Sequence, residues 1–260
     1  MKLDCSSRSL SWSPDGKTIC VGLGGDSTAM VKDGTFLILD SMKLETLHED
    51  RKSKNWITEV KYSPSGEMLA MSSYDGRIYL HDSSKYELKC VTQKCASPIM
   101  GFDFDVSGEF LQATTQDYQL LFYTTSDGKA VNSNAKLRDT VWATQTATLG
   151  WTVQGCWPKE DAEGKGKEAN VASVHRANKK KILASASDDG SVKVYHFPTQ
   201  IKDMGGIEAV GNSNFVSKVK FNASDEFVVT CAAHNRAIMQ YRLIEIEGRG
   251  IAEGGEEKKN

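Results

Sequence analysis

Residues 62–82 read Tyr-Ser-Pro-Ser-Gly-Glu-Met-Leu-Ala-Met-Ser-Ser-Tyr-Asp-Gly-Arg-Ile-Tyr-Leu-His-Asp. Two turn signals, Pro64-Ser65-Gly66 and Asp75-Gly76, bracket one apolar run, and a second apolar run follows the Asp-Gly pair. Each turn residue has its own mechanism: Pro presets φ, Asp bonds to nearby backbone, and Gly accepts a positive φ. The ten residues from Gly66 to Gly76 leave room for a strand of about seven residues and a tight turn, but not for a helix with its connections. Beyond the second turn, Ile78 and Leu80 alternate with polar neighbours, which sets one side-chain row on a buried face. The stretch predicts an antiparallel meander.

The same pattern recurs along the chain. The first turn is Pro14-Asp15-Gly16, Pro64-Ser65-Gly66, Val106-Ser107-Gly108, Asn178-Lys179-Lys180 and Ala223-Ser224-Asp225. The second is Asp33-Gly34, Asp75-Gly76, Asp117-Tyr118, Asp189-Gly190 and Asn235-Arg236. Phe36 and Ile38, Leu120 and Phe122, and Val192 and Val194 repeat the alternation; Ile238 keeps it and Gln240 breaks it. Five residues past each second turn stands a pair that resembles the Trp-Asp dipeptide of WD40 repeats: Leu39-Asp40, His81-Asp82, Tyr123-Thr124, Tyr195-His196 and Tyr241-Arg242. These pairs begin at 39, 81, 123, 195 and 241, at intervals of 42, 42, 72 and 46. A propeller blade repeats every 40–45 residues or so. The expected fold is therefore all-β, a WD40-type β-propeller of about five recognisable blades.

A blade cannot bury both of its faces alone, so neighbours must stack. Five units suggest part of a larger propeller, with another chain possible as the piece that completes it. The alternative is a sixth sheet built from divergent segments, but residues 132–172 lack a clean third turn pair. The expected organisation is blades over 1–245, with an insertion at 132–172, and a flexible charged tail at 246–260. Residues 159–168, of mixed charge without an apolar anchor, read as a solvated loop.

The 260 residues carry a formal net charge of −2, which recommends neither nucleic acid nor an anionic membrane as partner. No apolar run approaches the ~20 residues of a membrane span. The cysteines at 5, 20, 90, 95, 156 and 231 form no Cys-x-x-Cys pair, and reduced intracellular thiols are the simplest reading. Cys90 and Cys95 lack a second ligand pair for zinc. Gly22-Leu23-Gly24-Gly25-Asp26-Ser27 has neither the third glycine of a dinucleotide fingerprint nor the Gly-Lys-Ser/Thr of a P-loop, and reads as a long hairpin loop. Asp188-Asp189 falls on a recurring turn, and turn-shaping accounts for it better than acid–base chemistry. No catalytic, cofactor or metal residue is expected.

The fourth unit carries a more specific pattern. It reads Asp139-Thr140-Val141-Trp142-Ala143-Thr144, Thr148-Leu149-Gly150, Val153-Gln154-Gly155-Cys156-Trp157-Pro158, then His175, Asp188-Asp189, Val192-Lys193-Val194 and Phe197-Pro198. This order resembles the echinoderm microtubule-associated protein-like (EMAP-like) family, and residues 8–243 are similar to the final blades of its second propeller. The resemblance implies a non-enzymatic scaffold in the cytoplasm and cytoskeleton, ciliary or spindle, with tubulin or microtubules as partners. The last blade departs from the family, reading Gly211-Asn212-Ser213-Asn214-Phe215 where a histidine-bearing Gly-His-Ser-x-His stretch is usual. A generic WD40 adaptor in another assembly is the alternative, and a propeller hydrolase a remote third.

Four residues are weak candidates for partner contact: Trp142, Trp157, Arg176 and Lys179. Large aromatics more often plug the gap between blades, although exposed ones make good hot spots. The Arg176/Lys179–Lys181 patch could meet an acidic surface, but a solvated turn is the plainer reading.

Overall fold

The turn spacing builds five antiparallel sheets, each read outward from an inner strand. Blade I holds β1 (Ser7–Trp12), β2 (Thr18–Leu23), β3 (Thr35–Asp40) and β4 (Thr46–Arg51). Blade II holds β5 (Ile57–Tyr62), β6 (Met68–Ser73), β7 (Arg77–Asp82) and β8 (Leu88–Val91). Blade III has β9 (Ile99–Phe104), β10 (Phe110–Thr115) and β11 (Leu120–Thr124). Blade IV has β12 (Val171–Arg176), β13 (Ile182–Ser187), β14 (Val192–His196) and β15 (Ile207–Ala209). Blade V has β16 (Val216–Phe221), β17 (Phe227–Ala232) and β18 (Ile238–Arg242). The structure is a computed structural model that describes residues 2–26, 28–157, 170–201, 205–209, 211, 215–233 and 236–244. The charged loop at 159–168, the tail at 246–260 and the Asn212–Asn214 departure lie outside the described residues.

The turns follow their chemistry. Gly16, Gly66, Gly108 and Asp225 close the first turn of four blades with φ between +59° and +78°. In blade IV the equivalent Asn178–Lys180 turn has no positive-φ residue. It is held instead by Asp225 of blade V, whose carboxylate accepts the backbone N–H groups of Asn178 (2.9 Å), Lys179 (2.5 Å) and Lys180 (3.1 Å). At the second turn Gly34, Gly76 and Gly190 take positive φ, and so do Tyr118 and Arg236 (+59° and +51°). Those two bear a strain of about 1–2 kcal/mol each that glycine would avoid.

A shared irregularity ties the five units together. The inner strand of every blade slips by one residue against its neighbour, leaving Arg8, Thr58, Met100, Ala172 and Ser217 unpaired. Such bulges bend a strand and increase its twist.

The core is a chain of inter-blade layers. Cys20, Phe36 and Ile38 of blade I pack on Ile57, Val60, Leu69 and Met71 of blade II. Ala70, Ile78 and Leu80 pack on Phe102, Phe104, Leu111 and Tyr123 of blade III. Ala184, Ala186 and Val192 of blade IV pack on Val216, Val219 and Val228 of blade V. Between blades III and IV the layers differ. Residues 132–157 contain two short 3-10 turns (Asn134–Leu137 and Gln154–Cys156) and no strand, only the single bridge from Asp105 to Trp142. No sixth sheet forms among the described residues. This segment is a filler, with Leu137, Trp142 and Trp151 on Phe122 of blade III and Val153 and Cys156 on Val171, Val174 and Leu183 of blade IV.

The outer faces of blades I and V pack on no further blade; on blade I, Ile19, Val21, Leu23, Leu37 and Leu39 bury one another with Leu3 against them. Leu10 and Trp12, which pair with Val21 and Ile19 on the face turned away from blade II, are 56% and 53% exposed. Ile238 follows the alternation but is 76% exposed, because it pairs with Cys231 on the face turned away from blade IV.

Candidate functional site: the axial polar cluster and the inter-blade wedge

The inner strands bring charged side chains together that lie far apart in sequence. Lys61 of β5 donates to Asp103 Oδ1 (2.6 Å) and to the Phe102 carbonyl (2.6 Å) of β9, and stands 3.5 Å from Glu59 Oε1. Asp103 is fully buried. Its oxygens also accept the backbone N–H groups of Thr146 (3.0 Å) and Ala147 (2.8 Å), the Thr144 hydroxyl, and Gln112 Nε2 (3.0 Å). Burial alone would raise the Asp103 pKa, but the Lys61 ammonium and these hydrogen bonds hold it down at about 2. Burial likewise pulls the Lys61 pKa down, and Asp103 and Glu59 outweigh it, so the net shift is upward. The pair is ionised, and it binds blade II, blade III and the filler segment at one point. A buried pair of this kind is weak evidence of net stability but a strong device for register. A lysine between Val60 and Tyr62 and an aspartate between Phe102 and Phe104 were the visible signal, charge inside an apolar alternation. Nothing in the sequence pairs them.

His175 of β12 stands beside this cluster. Its Nδ1 accepts the Phe221 backbone N–H at 3.2 Å, so the neutral ring carries its proton on Nε2. Burial first, then the Lys220 and Lys61 charges, push its pKa down to about 3.

Three of the four candidates from the sequence, Trp142, Trp157 and Arg176, lie in or against the filler segment, and Lys179 lies on the blade IV turn held by Asp225. Trp142 is 6% exposed and stacks on Phe122 with centroids 5.9 Å apart, which leaves little of the indole for a partner. Trp157 is half-buried; its Nε1 donates to the Thr148 carbonyl at 2.8 Å and its ring meets Tyr118 edge-on at 5.5 Å. Arg176 donates to the Ala143 carbonyl at 2.7 Å and lies 5.5 Å over the Phe197 ring. It thus clamps filler and blade IV. Lys179 is exposed, with only its backbone bound to Asp225.

The other motifs are absorbed by structure. Asp188 accepts the Asn170 backbone and side-chain N–H groups, both at 2.9 Å, and Asp189 accepts the Ser191 N–H at 2.9 Å. The Cys90 thiol donates to the Thr125 carbonyl and the Cys95 thiol to that of Ser97. Among the described residues no His/Cys/Asp/Glu group could hold a metal ion, and no helix is long and apolar enough to cross a membrane.

Solved structures share the architecture. The chain aligns with one in a crystal structure of the mitotic checkpoint complex at a TM-score of 0.68 and 16% identity, over 94% of this chain and 77% of that one. The Myceliophteria thermophila Cps50 (Swd1) β-propeller domain aligns at 0.60 and 13% identity, over 97% and 70%. These likenesses establish the propeller fold alone. The sequence model for the second β-propeller of echinoderm microtubule-associated protein matches residues 1–243. The chain belongs to the EMAP-like family. Echinoderm microtubule-associated protein-like 1 of Rattus norvegicus is 32% identical over 238 residues, 89% of this chain and 27% of that protein. The 77 kDa echinoderm microtubule-associated protein of Lytechinus variegatus is 28% identical over 243 residues, 91% and 34%. The chain therefore spans about a third or less of the curated relatives it matches. The filler between Trp142 and Trp157 carries part of the motif order that resembles this family.

Proposed function

We propose that this EMAP-like propeller is a cytoplasmic scaffold that contacts tubulin or microtubules. The match over residues 1–243 to a microtubule-associated family carries this reading. The geometry supports an interaction role: polar side chains at the blade junctions serve structure, which leaves loops and edges to meet partners. Of the four candidate residues, Trp142 is buried, Trp157 and Arg176 are half-buried, and Lys179 is exposed with the charge to meet an acidic surface. Arg176 and Trp142 would act by holding the filler in place. The test is co-sedimentation with stabilised microtubules at low and raised salt. The chain should pellet at low salt and be released as salt rises, and Lys179→Glu should reduce the pelleted fraction. No pelleting at low salt overturns direct binding and favours an adaptor role in another assembly.

A further inference from the structure

The inner strands of all five blades line an axial cavity of about 230 Å³. Two ammonium groups, Lys61 and Lys220, reach it, and no carboxylate lines it among the described residues. Lys61 is neutralised by Asp103 and Glu59, whose own oxygens are engaged: Glu59 Oε2 accepts the Phe102 N–H at 3.1 Å. Lys220 is different. It lies on β16 with part of its side chain in solvent and part packed among the inner strands, and has neither ion pair nor hydrogen bond for its ammonium among the described residues. His175 also lines this cavity, and its Nε2–H has no protein acceptor among the described residues. Exposed Leu10 and Trp12 add apolar surface to the lining.

We infer that this cavity takes the carboxylate of an acidic peptide, paired with Lys220, hydrogen-bonded by His175 Nε2–H, its aliphatic part against Trp12 and Leu10. The volume falls below the roughly 300 Å³ at which drug-sized ligands begin to fit, and suits one acidic side chain with its stem. An inorganic anion would leave this apolar surface unused. Burial lowers the Lys220 pKa, with Glu59 working against it and Lys61 and Lys218 with it; a carboxylate at contact would offset that cost. Trp is among the residues that most often dominate an interface, and Trp12 lines this cavity together with an unpaired charge. The site does not depend on any contact with microtubules.

The test is fluorescence anisotropy on the full chain, with a labelled Glu-rich peptide and its Gln counterpart as probes. The Glu peptide should bind and the Gln peptide should not. Lys220→Gln should weaken binding about tenfold or more, and Lys220→Arg should stay within about threefold of the parent. Lys129→Gln, outside the cavity and 80% exposed, should change nothing. Trp12→Ser, at an exposed position, gives an independent variant that should also weaken binding. The inference is overturned if the Glu peptide fails to bind, if Lys220→Gln matches the parent, or if Lys129→Gln weakens binding equally. Competition by inorganic phosphate as strong as that of the unlabelled peptide would also overturn it, by marking a simple anion site.

Discussion

Lys61 and Asp103 place two opposite charges in an interior where either one alone would be costly. Lys61→Met strips Asp103 of its counter-ion but leaves it buried, and should lower stability by about 3–5 kcal/mol in urea unfolding. Lys17→Met removes a pair with Asp15, but both side chains are more than half exposed, and the change should leave the urea midpoint unmoved. His175 makes stability depend on pH. Its folded pKa of about 3 lies below the unfolded value near 6.5, so the unfolded chain takes up the proton first. Stability is complete above about pH 6.5 and drains away as pH falls toward 3. His175→Asn, whose Oδ1 can replace Nδ1 as acceptor, should remove roughly 2 kcal/mol of the loss between pH 7 and 5, read from denaturant midpoints at both. Asp103 acts lower on the scale. Its contribution is present above about pH 3.9 and is lost as pH falls through 2, so it does not obscure the histidine window. None of these roles was legible locally, because a partner on another blade decides whether a buried charge is tolerable.

At the scale of the elements, the turns were legible because glycine and aspartate act on their own backbone. The same positions still differ in tolerance. Gly16 and Gly76 share the left-handed region, with φ of +72° and +82°. A Cβ at Gly16 meets nothing within 4 Å, whereas one at Gly76 lies 2.7 Å from the Cys95 carbonyl oxygen. Gly16→Ala should therefore cost the strain alone, about 1 kcal/mol, and Gly76→Ala distinctly more, about 2–4 kcal/mol, by thermal unfolding. The filler was visible as an insertion with tryptophans, and its path was not. Since Trp142 closes the apolar layer between Phe122 and Leu137, Trp142→Ala should lose about 3–5 kcal/mol. Blade III should loosen from blade IV, giving new protease cleavage near 132–157. The inner-strand bulge at Arg8, Thr58, Met100, Ala172 and Ser217 left no sequence signal, for these five residues share neither size nor polarity.

Across the whole molecule, each blade relies on its neighbours, and the terminal ones have fewer. Strand β6 of blade II is buried along nearly its whole length, while β18 of blade V is half-buried or exposed throughout. Hydrogen exchange should accordingly protect β6 and β10 amides at least about tenfold more than those of β1 and β18; uniform protection across the blades would contradict this arrangement. What the sequence determined by itself was the repeat. Meander spacing, turn chemistry and alternation are local, and they predict a propeller whatever surrounds each blade. The family followed from the Trp142–Pro198 order, again a feature of linear sequence. Only the tertiary structure decided that Ile238 stays exposed despite its strand pattern, because burial needs a facing blade. It also decided that 132–157 wedges rather than pairs, and that Lys61 is spent on Asp103 while Lys220 is not. Those outcomes depend on which side chains meet across blades tens of residues apart, and no local pattern encodes that distance.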